Sequence, residues 1–182
     1  MNAPSDTAGQ FNTPSATSTF DDLFEAHYEP IARAIVRIIQ DRGRAEELAV
    51  EAFWKLHKNP NAQGPSARGW LHRTAVRLAL DELRRRARQS RYERMLGWIH
   101  LSRSRTPDEL FSSSEEQGRV RMVLATLPDR QAELLLLRHD GASYGDLASS
   151  LDINPASVGT LLSRAQQAFR KEYVQRYGEP HE

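Results

Sequence analysis

The stretch that decides the fold is LPDRQAELLLLRHDGASYGDLASSLDINPASVGTLLSRAQQAFRKEY, residues 127–173. Its apolar residues recur at helical spacing in three short segments separated by turn signals. Asp129 is a candidate cap for the first helix and Ser143 for the second. Asn154 and Pro155 favour the start of the third, because an asparagine cap followed by proline fits a helix N-terminus. The pattern predicts three helices, of which the last two form a helix-turn-helix.

Small polar side chains and one arginine occupy the outer face of the third predicted helix. Such side chains suit the base edges of a major groove, and a guanidinium also suits phosphate. A three-helix bundle with a solvated polar face explains the same pattern without DNA. We favour duplex DNA binding by the outward residues, which are Ser157, Thr160, Ser163, Arg164 and Gln167.

The composition excludes several classes of protein. The chain has 182 residues, a net charge of +1 and no cysteine, so disulfides and thiolate metal sites are excluded and any nucleic-acid binding must come from local basic patches. Its six histidines lack metal-ligand spacing, and the sequence holds neither a Gly-rich phosphate loop nor a Ser/His/Asp or Cys/His set. No apolar run reaches the roughly 18 residues of a membrane span, and no signal peptide opens the chain. We therefore expect a cytoplasmic protein that is not an enzyme, with no metal, no cofactor and no membrane insertion.

The N-terminal half begins with a predicted disordered tail at 1–19, because Ser, Thr, Ala and Pro leave little to bury. A helix is predicted over 20–40, and Pro30 is expected to break or kink it near Glu29. A second helix is predicted over 44–58, with an apolar inner stripe and an acidic outer face. An acidic outer face can simply keep the protein soluble. The more specific alternative is that it docks a basic partner. The face carries Glu46, Glu47, Glu51 and Lys55.

A loop of turn formers at 59–69 leads into a basic helix predicted over 70–94. Residues 73–94 contain eight arginines and three acidic residues, so we expect more arginines than ion pairs within the chain can neutralise. Attraction to a phosphate backbone is the physical use of such a cluster, and a solvated charged helix is the alternative. Trp70, at the head of this helix, offers a stacking surface for unpaired bases, although a single tryptophan is more often part of a core.

The segment 95–116 is rich in Ser, Pro and acids, and it is predicted to be a flexible linker between two helical domains. A short helix is predicted over 119–126, before the stretch that decides the fold. After Tyr173 the chain is expected to fray, because glycine and proline near the terminus do not hold a helix.

In their order and spacing, these segments resemble the bacterial sigma-70 family of transcription factors, and within it the extracytoplasmic-function (ECF) group, which keeps only region 2 and region 4. AEELAVEAFWKLHK (45–58) is similar to the acidic segment of region 2, and GWLHRTAVRLALDELRRRAR (69–88) to its tryptophan start and arginine run. The stretch 127–165 is similar to region 4, from its Leu-Pro start to its Arg-Ala end. The resemblance implies an all-α chain of two small helical domains, region 2 at 20–94 and region 4 at 117–177, joined by the linker.

The function that this resemblance implies is to bind core RNA polymerase, to direct it to promoters and to open the −10 element for initiation. Docking on the clamp coiled coil of the polymerase carries over to Glu47, Leu48, Glu51 and Trp54. Opening the −10 element and holding a flipped base carry over to Gly64, Pro65, Ser66, Arg68, Trp70, Arg73, Arg77, Arg84, Arg85, Arg86 and Arg88. Recognition of the −35 element carries over to Ser157, Gly159, Thr160, Ser163 and Arg164. Region 4 is also implied to touch the polymerase flap, and an anti-sigma factor is a further implied partner.

The sequence departs from the family pattern at several of these positions. Arg77 stands where the family usually has asparagine, and Val50 where it commonly has glutamine. In the third helix of region 4, the frequent basic residues are replaced by Gly159, Thr160 and Leu161. Two other classes therefore stay open, a helix-turn-helix regulator that acts without polymerase and a helical interaction protein that titrates an anti-sigma factor.

Overall fold

A computed structural model describes residues 20–95 and 109–179, and every regular element within them is helical, as predicted. The N-terminal half contains α1 (Phe20–Ile39), α2 (Arg42–His57) and α3 (Ala67–Met95), with a 3-10 turn at Pro60–Ala62. The C-terminal half contains α4 (Glu109–Thr126), α5 (Asp129–His139), α6 (Tyr144–Leu151) and α7 (Val158–Tyr177), with a 3-10 turn at Pro155–Ser157. The predicted tail at 1–19 lies outside the described residues.

α1, α2 and α3 form a bundle around a shared apolar core. α1 buries Ile31 and Ile35 completely, and α2 contributes Leu48 and Phe53 at helical spacing. Asp41 starts α2 as its N-cap, where its carboxylate accepts a hydrogen bond of 3.0 Å from the backbone N–H of Arg44. This packing fixes the long α3 alongside the two shorter helices.

The predicted break of the first helix at Pro30 is wrong, because α1 runs through it without interruption. A proline removes one backbone hydrogen bond and crowds the preceding turn. The apolar face of α1 continues past it, however, with Tyr28 packed against the core before it and Ile31 buried after it. Tertiary packing on both sides of Pro30 therefore outweighs the local cost.

The turn chemistry of the C-terminal half agrees with the predicted helix-turn-helix. Ser143 caps α6 in a reciprocal capping box with Asp146, with hydrogen bonds of 3.1 and 2.9 Å between side chains and backbone N–H groups. α6 ends at Asp152, which adopts a left-handed conformation with φ 51°. Asn154 then accepts a hydrogen bond from the N–H of Ala156 and starts the turn into α7. These caps fix the angle at which α7 leaves the bundle.

Three helix limits in this half differ from the prediction. Asp129 is the first residue of α5 and makes no side-chain cap there, because the chain enters the helix through Pro128. α4 begins at Glu109, so it takes in the C-terminal part of the predicted linker. α7 continues beyond Tyr173 to Tyr177 because aromatic side chains pack along its last turns.

The two halves pack against each other through α3. α5 and α6 both contact it, and the buried apolar residues of both halves form one continuous cluster, from Ile31 in α1 to Leu162 in α7. The sequence led us to expect two domains on a loose tether. The described residues instead place the C-terminal half directly on the basic helix.

Candidate nucleic-acid interface

α7 presents its predicted reading face to solvent. Thr160, Ser163 and Arg164 are exposed, whereas Val158 and Leu162 on the opposite side are buried. Arg164 has no ion pair among the described residues, so its guanidinium is available to a phosphate or a base edge. Ser157 and Gly159, at the start of the helix, are half-buried.

Gly159 lies beside Tyr144 of α6. A β-carbon built on this glycine would meet Cε2 of Tyr144 at 3.7 Å, which is an ordinary van der Waals distance. The tyrosine is itself exposed, and the guanidinium of Arg138 lies 5.7 Å from its ring centroid. Nothing in the described part of the chain therefore requires the absence of a side chain at Gly159.

The outer face of α2 combines acidic and apolar side chains, and we call it the α2 patch: Glu47, Val50, Glu51 and Trp54. Val50 and Trp54 are among the large apolar side chains most exposed in the described residues, at 52% and 56%. Trp54 stacks on His57 and carries the ammonium of Lys58 over its ring at 4.7 Å. The patch offers a partner one flat aromatic surface flanked by carboxylates.

Leu48 does not belong to this surface. It was carried over as a polymerase contact, but it is 3% exposed and packs in the core beside Ala49 and Ala52. It supports α2 from within and leaves Glu47, Glu51 and Trp54 as the predicted contacts that a partner can reach.

Much of the arginine run in α3 is paired inside the chain, contrary to the expectation that the run exceeds what such pairing can use. Its anchor is Glu82, whose side chain is 1% exposed and accepts hydrogen bonds from Arg44, Arg85 and Arg86. These bonds, first that of Arg85, lower the pKa of Glu82 to about 2. Arg86 also reaches Asp41 at 2.8 Å, so it ties α3 to the cap of α2.

Arg73 and Arg77, which were carried over to the −10 site, meet a carboxylate of the other half. Nε of Arg73 lies 3.3 Å and Nε of Arg77 2.5 Å from the two oxygens of Glu133 in α5. Arg73 also donates a hydrogen bond of 3.1 Å to the carbonyl of Ser150 in α6. The sequence held a signal for this contact that we did not use, a single glutamate within the otherwise apolar run from Ala132 to Leu137.

Arg84 also crosses to the C-terminal half. It donates to the carbonyls of Ala125 and Leu127, at the end of α4, and forms an ion pair of 2.6 Å with Asp129. A cation in this position stabilises the unpaired carbonyls and the negative end of the helix dipole. Arg84 therefore works as a structural residue in this arrangement.

The other predicted −10 residues keep an accessible surface. Arg88 is exposed and has no ion pair among the residues that the structure describes. In the loop before α3, Gly64, Pro65 and Ser66 are exposed. Arg68 is exposed as well, but it lies in the first turn of α3, which begins at Ala67 and not at Trp70 as predicted. Trp70 is half-buried against the core, so part of its ring remains for stacking.

Among the described residues, no group of three or more His, Asp or Glu side chains is arranged to hold a metal ion. None of the helices in 20–95 and 109–179 is both long and apolar enough to cross a membrane.

A basic helical bundle joined to a capped helix-turn-helix with an exposed polar face is an arrangement suited to binding DNA. The family model for sigma-70 region 2 matches residues 23–89, and the model for sigma-70 region 4 matches residues 117–168. The chain belongs to the sigma-70 family, and within it to the ECF group. Sigma factors are regulatory proteins that bind RNA polymerase.

Relatives with curated names agree with this assignment. The chain is 26% identical to the ECF RNA polymerase sigma factor SigE of Mycolicibacterium smegmatis, over 86% of this chain and 62% of that protein. It is also 26% identical to the ferric citrate uptake sigma factor FecI of Escherichia coli, over 88% of this chain and 96% of that protein. Among solved structures, the sigma factor RpoE in complex with the anti-sigma factor NepR from Bartonella quintana aligns with a TM-score of 0.49 and 18% identity, covering 89% of this chain and 99% of that one.

Proposed function

We propose that this chain binds core RNA polymerase in the cytoplasm and directs it to promoters, without catalysing a reaction itself. The observation that carries the proposal is the exposed face of α7 in a capped helix-turn-helix that lies within the region 4 match. The proposed division of labour assigns duplex reading to α7, strand separation to α3 and its preceding loop, and polymerase docking to α2.

Recognition of the −35 element rests on α7. Thr160, Ser163 and Arg164 project into solvent at helical spacing, which lets one helix face enter a major groove. Arg164 supplies the charge, and the hydroxyls can donate to or accept from base edges. Ser157 and Gly159 would lie at the helix start, close to the sugar-phosphate backbone.

Strand separation at the −10 element rests on the loop 64–66 and on α3. Extruding a base costs a few kcal/mol, which stacking and backbone contacts must offset. Trp70 offers part of its ring for stacking, and Arg88 offers an unpaired guanidinium. Arg73 and Arg77 would join them once they are released from Glu133. Arg85 and Arg86 act first on the fold, through Glu82, and only indirectly on DNA.

Docking on the polymerase clamp rests on the α2 patch. An exposed tryptophan flanked by carboxylates fits a partner surface that presents apolar and basic side chains. Region 4 is proposed to touch the polymerase flap. An anti-sigma factor is a further proposed partner of the chain.

The test is transcription in vitro with core polymerase and genomic DNA, with the 5′ ends of the transcripts sequenced. We expect new start sites that depend on the chain. Arg164→Ala should reduce them by about tenfold, because a lost bidentate or phosphate contact costs about 1–3 kcal/mol. Arg170→Ala is the matched control, since it removes the same charge from another face of α7 and should have little effect. Failure to associate with core polymerase, with DNA binding retained, would instead support a helix-turn-helix regulator that acts alone.

A further inference from the structure

The surfaces that join the two halves carry complementary charges in antiparallel order. Along α5 lie Asp129, Glu133 and, at its C-cap, Asp140. Arg84 pairs with the first of these, and Arg73 and Arg77 pair with the second.

The third carboxylate, Asp140, lies at the other end of this row of ion pairs, which we call the ladder. His72 Nδ1 lies 3.5 Å from it, and Arg37 of α1 donates a hydrogen bond to it. Basic side chains of the N-terminal half thus meet successive carboxylates of the C-terminal half. This order fixes the register of α5 on α3.

Glu133 is the member of the ladder that most needs its partners. Its side chain is 1% exposed, and removing a carboxylate from water costs several kcal/mol unless it is paired. Both of its arginines come from the N-terminal half. While the halves are together, Arg73 and Arg77 supply the counterions that this buried carboxylate needs, and separation of the halves breaks both ion pairs. We call the arrangement with both ion pairs formed the closed state.

Steric fit supports the same closed state at Gly69, the third residue of α3. A β-carbon built there would lie 2.6 Å from Oγ and 3.7 Å from Cβ of Ser150 in α6. The first distance is shorter than real β-carbons show, so the two helices approach as closely as a glycine allows.

We propose that the free chain is held closed by this contact, with Glu133 occupying Arg73 and Arg77 and so keeping them from single-stranded DNA. The inference rests on the proposed function, because it concerns the same −10 site. A phosphate and the Glu133 carboxylate compete for the same two guanidinium groups. Because Arg88 and the loop before α3 are exposed already, departure of α5 and α6 frees Arg73 and Arg77 and so completes the strand-binding face.

The closed state leaves the other two proposed surfaces free. The α2 patch and the reading face of α7 are both exposed while Glu133 holds Arg73, which is mostly covered, and Arg77, whose side chain is 53% exposed. Core polymerase can therefore dock first, and only a partner that binds the open form better can shift the equilibrium toward it. Release of the −10 site is in this way coupled to assembly.

A disulfide can test the contact directly, because the chain contains no cysteine of its own. In the variant Gly69→Cys with Ser150→Cys, the two β-carbons would lie near 3.7 Å, within the range that a disulfide spans. We expect rapid cross-linking of the full chain under mild oxidation. The oxidised protein should bind a fluorescein-labelled oligothymidylate strand at least tenfold more weakly than the reduced protein, and it should lose transcription with core polymerase until a reductant is added.

The matched control is Gly69→Cys with Ser149→Cys, in which the second cysteine is one residue away on an exposed position of α6. It should cross-link much more slowly. Equal cross-linking rates for the two pairs would overturn the closed state, and full strand binding and transcription by the oxidised test pair would overturn its inhibitory role.

Glu133→Gln tests the lock without cysteines. It keeps the shape of the side chain and removes the charge that holds Arg73 and Arg77, so strand binding should tighten by about tenfold. Unchanged strand binding by this variant would contradict the proposal even if the double-cysteine variants fold poorly.

Failure of the proposed function looks different. The wild-type chain would then give no new start sites with core polymerase, while the two cysteine pairs would still differ in their cross-linking rates.

Discussion

Glu82 shows how one residue converts part of an apparent DNA-binding cluster into structure. Its buried carboxylate binds three guanidinium groups, and two of them belong to the arginine run that the sequence analysis assigned to phosphate. A run of like charges predicts an external partner only if no acid of the same helix lies within reach. Glu82 stands three and four residues before Arg85 and Arg86, which is the spacing at which helical side chains meet.

The pH dependence of this site is the first prediction. The pKa of Glu82 is lowered from 4.5 to about 2, so its stabilisation is complete above about pH 4.5 and is lost as the pH falls toward 2. Glu82→Gln should lower the free energy of unfolding at pH 7 by about 3 kcal/mol. Denaturant titrations at several pH values should show the difference from wild type shrinking below pH 4.5. A difference that stays constant down to pH 2 would contradict this assignment.

Gly159 provides the second prediction at this scale. The described structure has room for a β-carbon there, and alanine in a helix is more stable than glycine by about 1 kcal/mol. Gly159→Ala should therefore raise the stability of the free protein by about that amount. It should weaken −35 duplex binding in a salt-controlled titration, because close approach to DNA is then the remaining physical reason for glycine at this position.

The matched control for that prediction is Gly118→Ala, which also replaces a helical glycine but lies in α4, outside the reading helix. It should gain stability without loss of duplex binding. If Gly159→Ala left duplex binding as strong as in wild type, the glycine would have no role in approach to DNA.

At the scale of elements, α4 and α7 are joined by a hydrogen bond that lies beside a row of aromatic side chains on α7. The buried Tyr173 places its hydroxyl 2.7 Å from a carboxylate oxygen of Glu116, and this hydrogen bond raises the pKa of the tyrosine. Phe169 stacks on Tyr173, and the ring of Tyr177 packs against Tyr173 at a tilt of 57°. The predicted helix ended at Tyr173 because glycine and proline follow near the terminus. The packing of α7 against α4, which extends the helix, is not evident from the local sequence.

Tyr173→Phe should lower the free energy of unfolding by about 1 kcal/mol, because it removes the hydroxyl and keeps the ring. The loss is at the lower end for a charged partner, since Glu116 is exposed and can be hydrated instead. Tyr177→Phe is the control, as its hydroxyl lies at an exposed position, and it should leave stability unchanged. Equal denaturation midpoints for Tyr173→Phe and wild type would show that the bond contributes nothing.

The elements also show what local pattern can and cannot predict. Ser143 and Asn154 cap as predicted, because caps depend on residues within one turn. Leu48 is buried as the apolar stripe of α2 predicts, and only its assignment by resemblance as a polymerase contact is wrong. The continuation of α1 through Pro30 depends on neighbours that are distant in sequence. Helix type, turn chemistry and the buried face of a helix are thus local information, whereas helix limits are set by packing.

At the scale of the whole molecule, the family and its two regions follow from the sequence, but the relation between the halves does not. Arg73 and Arg77 could be assigned to a −10 site by motif alone. Their partner Glu133 lies in the other half, and only the packing of α5 on α3 brings the three together. The motif indicates that Arg73 and Arg77 can bind DNA. The folded chain adds Glu133 as an internal partner for the same guanidinium groups.

The compactness of the chain should therefore depend on the sign of the charge at Glu133. Glu133→Arg would place a third guanidinium between Arg73 and Arg77, and repulsion in a buried site should drive the halves apart. Small-angle X-ray scattering should show a larger radius of gyration than wild type, with helicity by circular dichroism retained. Adding Arg77→Glu restores one opposite pair, so the double variant should return toward the wild-type radius. An expanded double variant, or a single variant as compact as wild type, would mean that apolar contacts alone hold α5 and α6 on α3.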